Sequence, residues 1–177
     1  KFAVRGQGHI GKRHAEMVMR EPDTELVAIC DTADKNSLGI EKLTAPFFSS
    51  DEKLFSSGLD FDVVNICTPN GLHAQQSLMA LENGKHVVCE KPMALHKQDC
   101  EQLIHKALQV NKQVFCVMQN RYSPPSVWLK EIVEKKIIGE VFIVQLNCYW
   151  NRDERYYTGK NWKGNQELDG GTLFTQF

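Results

Sequence analysis

Lys91 stands in Cys89-Glu90-Lys91-Pro92, directly after the apolar run His86-Val87-Val88. An ammonium group followed by a proline is thereby set at the carboxyl end of a strand that reads as buried. In open parallel sheets, cofactors and substrates sit in the crevice at those ends. A desolvated lysine in such a crevice can act as a general base. A lysine in a plain loop would be a solvated cation beside a neighbouring acid, and these four residues alone do not separate the two readings. A second group of residues lies at the amino end. Phe2-Ala3-Val4-Arg5 runs into Gly6-Gln7-Gly8-His9-Ile10-Gly11, and a helical pattern follows at once. Gly6 suits a tight turn, Gly8 a close approach of backbone to a pyrophosphate, and Gly11 close packing of helix on strand. The helix N-terminus adds unpaired N–H donors and the positive end of its dipole. Asp31 follows Gly11 by twenty residues, at the end of the next strand-like run. A carboxylate there accepts hydrogen bonds from both adenosine ribose hydroxyls and repels a 2′-phosphate, which favours NAD over NADP. Flavin adenine dinucleotide uses a similar fingerprint, so the loop alone does not choose the redox partner.

A third loop, Cys67-Thr68-Pro69-Asn70-Gly71-Leu72-His73, leaves another strand end and enters a helix. Thr68 and Asn70 suit either contacts to nicotinamide ribose or plain helix capping. His73, in the first helical turn, reads first as a surface histidine and second as a cofactor contact. Arg5 is discordant, because it ends a strand whose position favours an apolar residue. Its readings are a tolerated variant, an arginine snorkelling past the strand end, or a phosphate contact.

Positioning these loops requires a particular alternation of elements. Phe2–Arg5, Glu25–Cys30, Asp62–Cys67, His86–Cys89 and Gln113–Val117 are short, apolar runs suited to strands buried on both faces, and Pro46–Phe48 is a weaker one. Between them, His9–Arg20 sets Ile10, His14, Met17 and Val18 on one helical face. Asn70–Asn83 carries an Asn at its N-cap, with Ala74, Leu78 and Leu81 at helical spacing. His96–Val110 aligns Cys100, Leu103, Ile104, Ala107 and Leu108. This rhythm predicts a doubly wound parallel α/β sheet, a Rossmann domain over residues 1–120.

The pattern changes near Arg121. Pro124-Pro125 opens a helix over Val127–Lys136, and Val141–Tyr149 alternates as a strand of a more open sheet. Residues 121–177 are therefore expected to begin an incomplete α+β domain with a mostly antiparallel sheet, serving substrate binding and oligomerisation.

The whole chain narrows the function classes. Its 177 residues, 42% hydrophobic and 24% charged, are ordinary globular values. A net charge of −1 gives no bulk attraction to nucleic acid or anionic membrane. No apolar stretch reaches the roughly 20 residues that span a bilayer, and Lys1 opens straight into a strand-like run with no signal peptide in view. The six cysteines show no CxxC pair and no metal-ligand spacing. No metal site is expected, and a reducing cytoplasmic location is the simplest reading.

Taken together, the N-terminal GxGxxG, Asp31, the Cys-Thr-Pro-Asn loop and Glu90-Lys91-Pro92 resemble the Gfo/Idh/MocA oxidoreductase family over the whole of Lys1–Phe177. The resemblance implies reversible hydride transfer between nicotinamide and a carbinol carbon of a sugar, sugar nucleotide or cyclitol, by a homo-oligomer (dimer or tetramer). It implies that Lys91 moves the hydroxyl proton, that Glu90 orients it and meets the cofactor, and that the Lys91–Pro92 bond is cis. Gln119 and Trp162 resemble positions near the cofactor, and Lys163 and Thr175 positions near the substrate. The stretch Asp169-Gly170-Gly171-Thr172-Leu173 is similar to the approach to the family's second catalytic motif. There Thr175 occupies the position usually held by an Asp, and the usual His would fall beyond Phe177. Members acting on UDP-activated N-acetyl-hexosaminuronic acids share the Trp-Lys-Gly of Trp162–Gly164 and a non-acidic residue at that position. For such a substrate, Arg152, Arg155, Lys160 and Lys163 are cations suited to a uronate or diphosphate. Thr175 also leaves open a non-catalytic dinucleotide-binding sensor of the same fold.

Overall fold

The structure, a computed structural model, describes residues 1–158 and 162–171. The chain divides into two compact units. One is Lys1–Val117 together with the stretch that starts at Gly164, and the other is Met118–Lys163.

In the first unit, alternating apolar runs build six strands: β1 Phe2–Arg5, β2 Leu26–Cys30, β3 Phe47–Phe48, β4 Val63–Ile66, β5 His86–Glu90 and β6 Val114–Val117. They form one parallel sheet in the order β3-β2-β1-β4-β5-β6. The chain winds outward from β1 to β3, then crosses back to β4 on the other side of β1. The reversal between β1 and β4 is the topological switch point at which such sheets open a crevice. The weak run at Pro46–Phe48 becomes a two-residue edge strand, in register with Ile29 and Cys30.

Successive strand residues face opposite sides of the sheet, and each side has its own apolar cluster. Ala3, Cys30, Val64, Ile66, Val87 and Cys89 join residues from three helices, α2 Asp51–Phe55, α3 His73–Glu82 and α4 Lys97–Gln109. Val4 and Ile29 face the other way, against Ala15 of α1 His9–Arg20 and the loop residues Ile40, Leu43 and Ala45. The face that α1 buries differs from the predicted one. Gly11, Ala15 and Val18 are buried, whereas Ile10 and Met17 are 39% and 41% exposed. Size explains the rotation, because only small residues let α1 approach so closely: a Cβ on Gly11 would stand 1.7 Å from the Gly6 carbonyl oxygen. On α4, likewise, Leu103 and Ala107 are buried while Ile104 and Leu108 stay exposed.

In the second unit, Pro124 occupies the first turn of α5 Pro124–Glu134, as the Pro pair predicts. A short helix, α6, spans Glu154–Tyr157. Val141–Tyr149 is not a strand. It joins no ladder, and Phe142 and Tyr149 are 86% and 94% exposed. Alternation supplies a face to bury but not the neighbouring backbone, and no described residue pairs with this segment. The expected antiparallel sheet is thus absent among the described residues. No helix among them is long and apolar enough to cross a membrane.

Candidate functional site

Four loops leave the carboxyl ends of β2, β1, β4 and β5, which are consecutive in the sheet. They carry Asp31, the Gly6–Gly11 loop, Thr68–Asn70 and Glu90–Pro92, so these predicted residues collect along one sheet edge around the switch point.

The glycine loop is shaped by contacts that leave no room for side chains. Gly6 has φ +88°, and a Cβ there would lie 2.7 Å from the Cys67 carbonyl oxygen. Gly8 caps α1 with no side-chain hydrogen bond, and a Cβ on it would meet no protein atom within 4 Å. Protein packing therefore does not require glycine at position 8. His9 and Ile10 lie exposed in the first turn of α1. Gln7 is buried, its backbone N–H donates to Asp31 Oδ2 at 2.5 Å, and its Nε2 donates to the Val4 carbonyl at 3.1 Å. Asp31 Oδ1 accepts the Ala33 N–H at 2.9 Å. The carboxylate at the end of β2 is thus oriented by two backbone amides and tied to the glycine loop.

The β4 loop differs from its predicted capping role. The Thr68 hydroxyl donates to Gln76 Oε1 at 2.6 Å, and α3 begins only at His73, after a tight turn over Asn70–Leu72 that follows Pro69. Asn70 does not cap the helix. Its buried Nδ2 donates to the Asp169 carbonyl at 2.9 Å, binding the β4 loop to α7 Gln166–Asp169. Gly71 makes the same approach possible, since a Cβ there would lie 2.1 Å from the Glu167 carbonyl oxygen. Asp169 Oδ2 accepts the Gly164 N–H at 3.1 Å, which folds this segment on itself.

His73 is not a surface residue. It is 1% exposed, with Nδ1 2.7 Å from the Pro92 carbonyl and Nε2 2.8 Å from the Thr68 carbonyl. Its ring spans the β4 and β5 loops. The Lys91–Pro92 bond is cis. Lys91 is partly buried, and its backbone N–H donates to Glu90 Oε2 at 3.3 Å. The other Glu90 oxygen, Oε1, lies 2.9 Å from His14 Nε2 on α1. His14 Nδ1 in turn lies 3.1 Å from Asn65 Nδ2 on β4.

Arg5 neither snorkels nor faces solvent. Its Nε donates to Asp51 Oδ1 at 2.6 Å, and the two side chains are 6% and 16% exposed. A buried arginine is tolerated at a strand end because the first residue of α2 supplies its counter-charge.

Thiol chemistry is suppressed around this edge. Burial pushes Cys30 and Cys89 up to about 12, and pushes Cys67 higher still. Thiolates are the reactive form, so these three should resist iodoacetamide at pH 8 in the folded protein and react only after denaturation, as read by peptide mass mapping.

Gln119 opens a tight turn in the second unit. Trp162 and Lys163 belong to the same unit, where the Lys163 ammonium lies 3.2 Å from the Tyr156 ring centre. Arg152 lies 4.1 Å and 4.2 Å from the ring centres of Trp150 and Tyr156, and Arg155 pairs with Asp153. Two predicted substrate residues, Lys160 and Thr175, lie outside the described residues. Sequence reasoning missed Asp51, Asn65 and the polar role of His14. Polar residues at buried positions imply partners, but only the fold reveals which.

Residues 1–118 match the profile of the oxidoreductase family with an NAD-binding Rossmann fold, Gfo/Idh/MocA. The chain belongs to this family. Two solved structures are similar over 99% of the chain. One is the WlbA dehydrogenase of Bordetella pertussis in complex with NADH and UDP-GlcNAcA, with TM-score 0.93, 32% identity and 53% of that chain covered. The other is the WlbA dehydrogenase from Chromobacterium violaceum in complex with the same two molecules, with TM-score 0.91, 34% identity and 51% covered. Among curated relatives, D-glucoside 3-dehydrogenase of Escherichia coli is 30% identical over 81% of the chain and 41% of its own length. The chain therefore spans about half of the solved chains and less than half of that relative.

Proposed function

We propose that this chain carries the cofactor half of an NAD-dependent dehydrogenase. Its substrate would be a CH–OH group of a sugar or sugar nucleotide, with a UDP-activated hexosaminuronate as the most specific candidate. The observation that carries this reading is the alignment of the glycine loop, Asp31, the Thr68 loop and Glu90-Lys91-cis-Pro92 at the ends of four consecutive strands. The resemblance to two WlbA dehydrogenases, each complexed with NADH and UDP-GlcNAcA, supports the substrate class.

The residues present fit a dinucleotide. The bare backbone at Gly8 and the amides of the first turn of α1 suit a pyrophosphate. Asp31 suits the adenosine ribose, and its negative charge disfavours a 2′-phosphate. Thr68, Pro69 and Glu90 would flank the nicotinamide half, with His73 bracing the loops that hold them. When bound, nicotinamide exchanges a hydride with the substrate carbon. Lys91 takes the hydroxyl proton in oxidation and returns it in reduction. Cys30, Cys67 and Cys89 take no part. Gln119, Trp162, Lys163 and the residues beyond the described ones remain proposed contacts of cofactor and substrate, and the free cysteines accord with a reducing cytoplasm. A homo-oligomer built through the second domain, residues 121–177, completes the reading.

The direct test incubates full-length protein and its Lys91→Met variant with NAD and a panel of sugars and sugar nucleotides, following NADH absorbance. Turnover by the parent alone supports the proposal. A separate titration tests cofactor choice. Replacing Asp31 with Ala should weaken NAD about tenfold to hundredfold, the worth of charge-assisted hydrogen bonds, and narrow the preference over NADP. Tighter binding of NADP than NAD by the parent would overturn the NAD assignment.

A further inference from the structure

Asn65 breaks a local rule of this fold. It lies within β4, between Val64 and Ile66, and is 4% exposed, where an apolar side chain would pack without any polar requirement. Its Oδ1 is buried without a hydrogen-bond partner among the described residues. A half-satisfied amide in a central strand is unfavourable for folding, so stability does not account for it. Among the described residues, the one polar contact of its side chain is with His14 Nδ1, 3.1 Å away.

We infer that Asn65 and His14 are positioning residues for the proton-transfer lysine, acting through Glu90. Strand alternation directs Asn65 away from Val64 and Ile66, toward the face covered by α1. There it meets His14, which continues to Glu90 Oε1 at 2.9 Å, and Glu90 Oε2 faces the backbone N–H of Lys91 at 3.3 Å, so the chain of contacts holds the main chain that carries the lysine. His14 and Glu90 are each 15% exposed, so water competes poorly for these bonds. The roles follow from the atoms. With Asn65 Nδ2–H donating to Nδ1, the single ring proton lies on Nε2 and points at the Glu90 carboxylate. With the amide turned over, Asn65 Oδ1 would accept from Nδ1–H, and a neutral ring would then turn a bare Nε2 toward the carboxylate. The orientation with Nδ2 toward His14 is therefore the one in which a neutral ring presents a donor to Glu90. A group that fixes ring orientation from behind is a familiar way to hold a functional side chain in register.

The inference rests on the proposed role of Lys91, and its test separates the two. In full-length protein, His14→Phe should lower kcat about 10- to 100-fold, the range for lost supporting contacts, with NAD affinity held within about twofold. His14→Gln, whose amide N–H can reach Glu90, should recover kcat to within about fivefold of the parent. Loss of kcat without rescue by Gln, or no loss in His14→Phe while Lys91→Met is inactive, overturns the relay and leaves the proposed function standing. Retained turnover in Lys91→Met overturns the proposed role of Lys91 instead. In that case the relay is judged by ¹⁵N NMR of the His14 ring, which needs no activity. A proton on Nε2 that loses its hydrogen-bonded shift in Glu90→Gln supports the relay, and a ring protonated on Nδ1 alone overturns it.

Discussion

Lys91→Met should lower kcat/KM by about 10²- to 10⁴-fold, the usual worth of a positioned general acid–base group, while NAD affinity changes little. Met keeps the unbranched, flexible shape of lysine, one atom shorter, and loses its proton chemistry and charge. The groups assigned to the pyrophosphate and adenosine of NAD are the glycine loop at the end of β1 and Asp31 at the end of β2, which Lys91 does not form. Asp31 is oriented by the Gln7 and Ala33 amides rather than by the lysine. Binding and turnover should therefore separate in this variant, the mark of an interaction made in the transition state. Lys91→Arg should fail as well, because a guanidinium keeps its proton throughout. Initial rates at saturating NAD, with fluorescence titration of the cofactor, check both variants. Equal turnover in Lys91→Met removes the lysine from the mechanism. If the parent also fails to reduce NAD with every member of the substrate panel, a non-catalytic dinucleotide-binding protein becomes the better description.

Much of what holds Lys91 in place was legible because it is local. Period-two apolar runs mark strands that parallel sheets bury on both faces, and glycines at fixed spacing mark a turn that only backbone can fill. The edge carrying Asp31, Thr68 and Lys91 follows from those signals. Features that depend on residues distant in sequence were not legible. Asn70 looks like a cap in a sequence window, but its partner is Asp169, 99 residues away. His73 reads as a surface residue until the β5 loop supplies its second carbonyl. His14 reads as part of an apolar helix face, because its partners Asn65 and Glu90 lie 51 and 76 residues onward. Val141–Tyr149 fails in the opposite direction. Its alternation is a sound local signal for a strand, and a strand forms only where another backbone pairs with it.

Arg5 and Asp51 should show strong, non-additive coupling in stability. Their bond spans 46 residues and joins the end of β1 to the first residue of α2. Beside it, Cys30 is in register with Arg5 on β2, on the side of the sheet that buries Leu54. Replacing Arg5 with Leu strands the carboxylate, and replacing Asp51 with Leu strands the guanidinium. Breaking such a pair from one side typically costs about 3–5 kcal/mol. The arginine variant belongs at the lower end, because Asp51 keeps 16% exposure and can be protonated. The aspartate variant belongs higher, because arginine is 6% exposed and cannot shed its charge. Removing both charges should recover most of the loss, since a buried ion pair often gains little over apolar groups of similar volume. Urea unfolding of the four proteins, with unchanged slopes, gives the coupling energy directly. Additive losses would mean that the two side chains act independently. The double variant also decides whether Arg5 serves the cofactor. A phosphate contact predicts weak NAD binding in Arg5→Leu and in the double variant alike. A structural pair predicts that NAD affinity returns with stability, because the Gly6 N–H still bonds the Cys30 carbonyl at 2.8 Å and keeps the glycine loop in place.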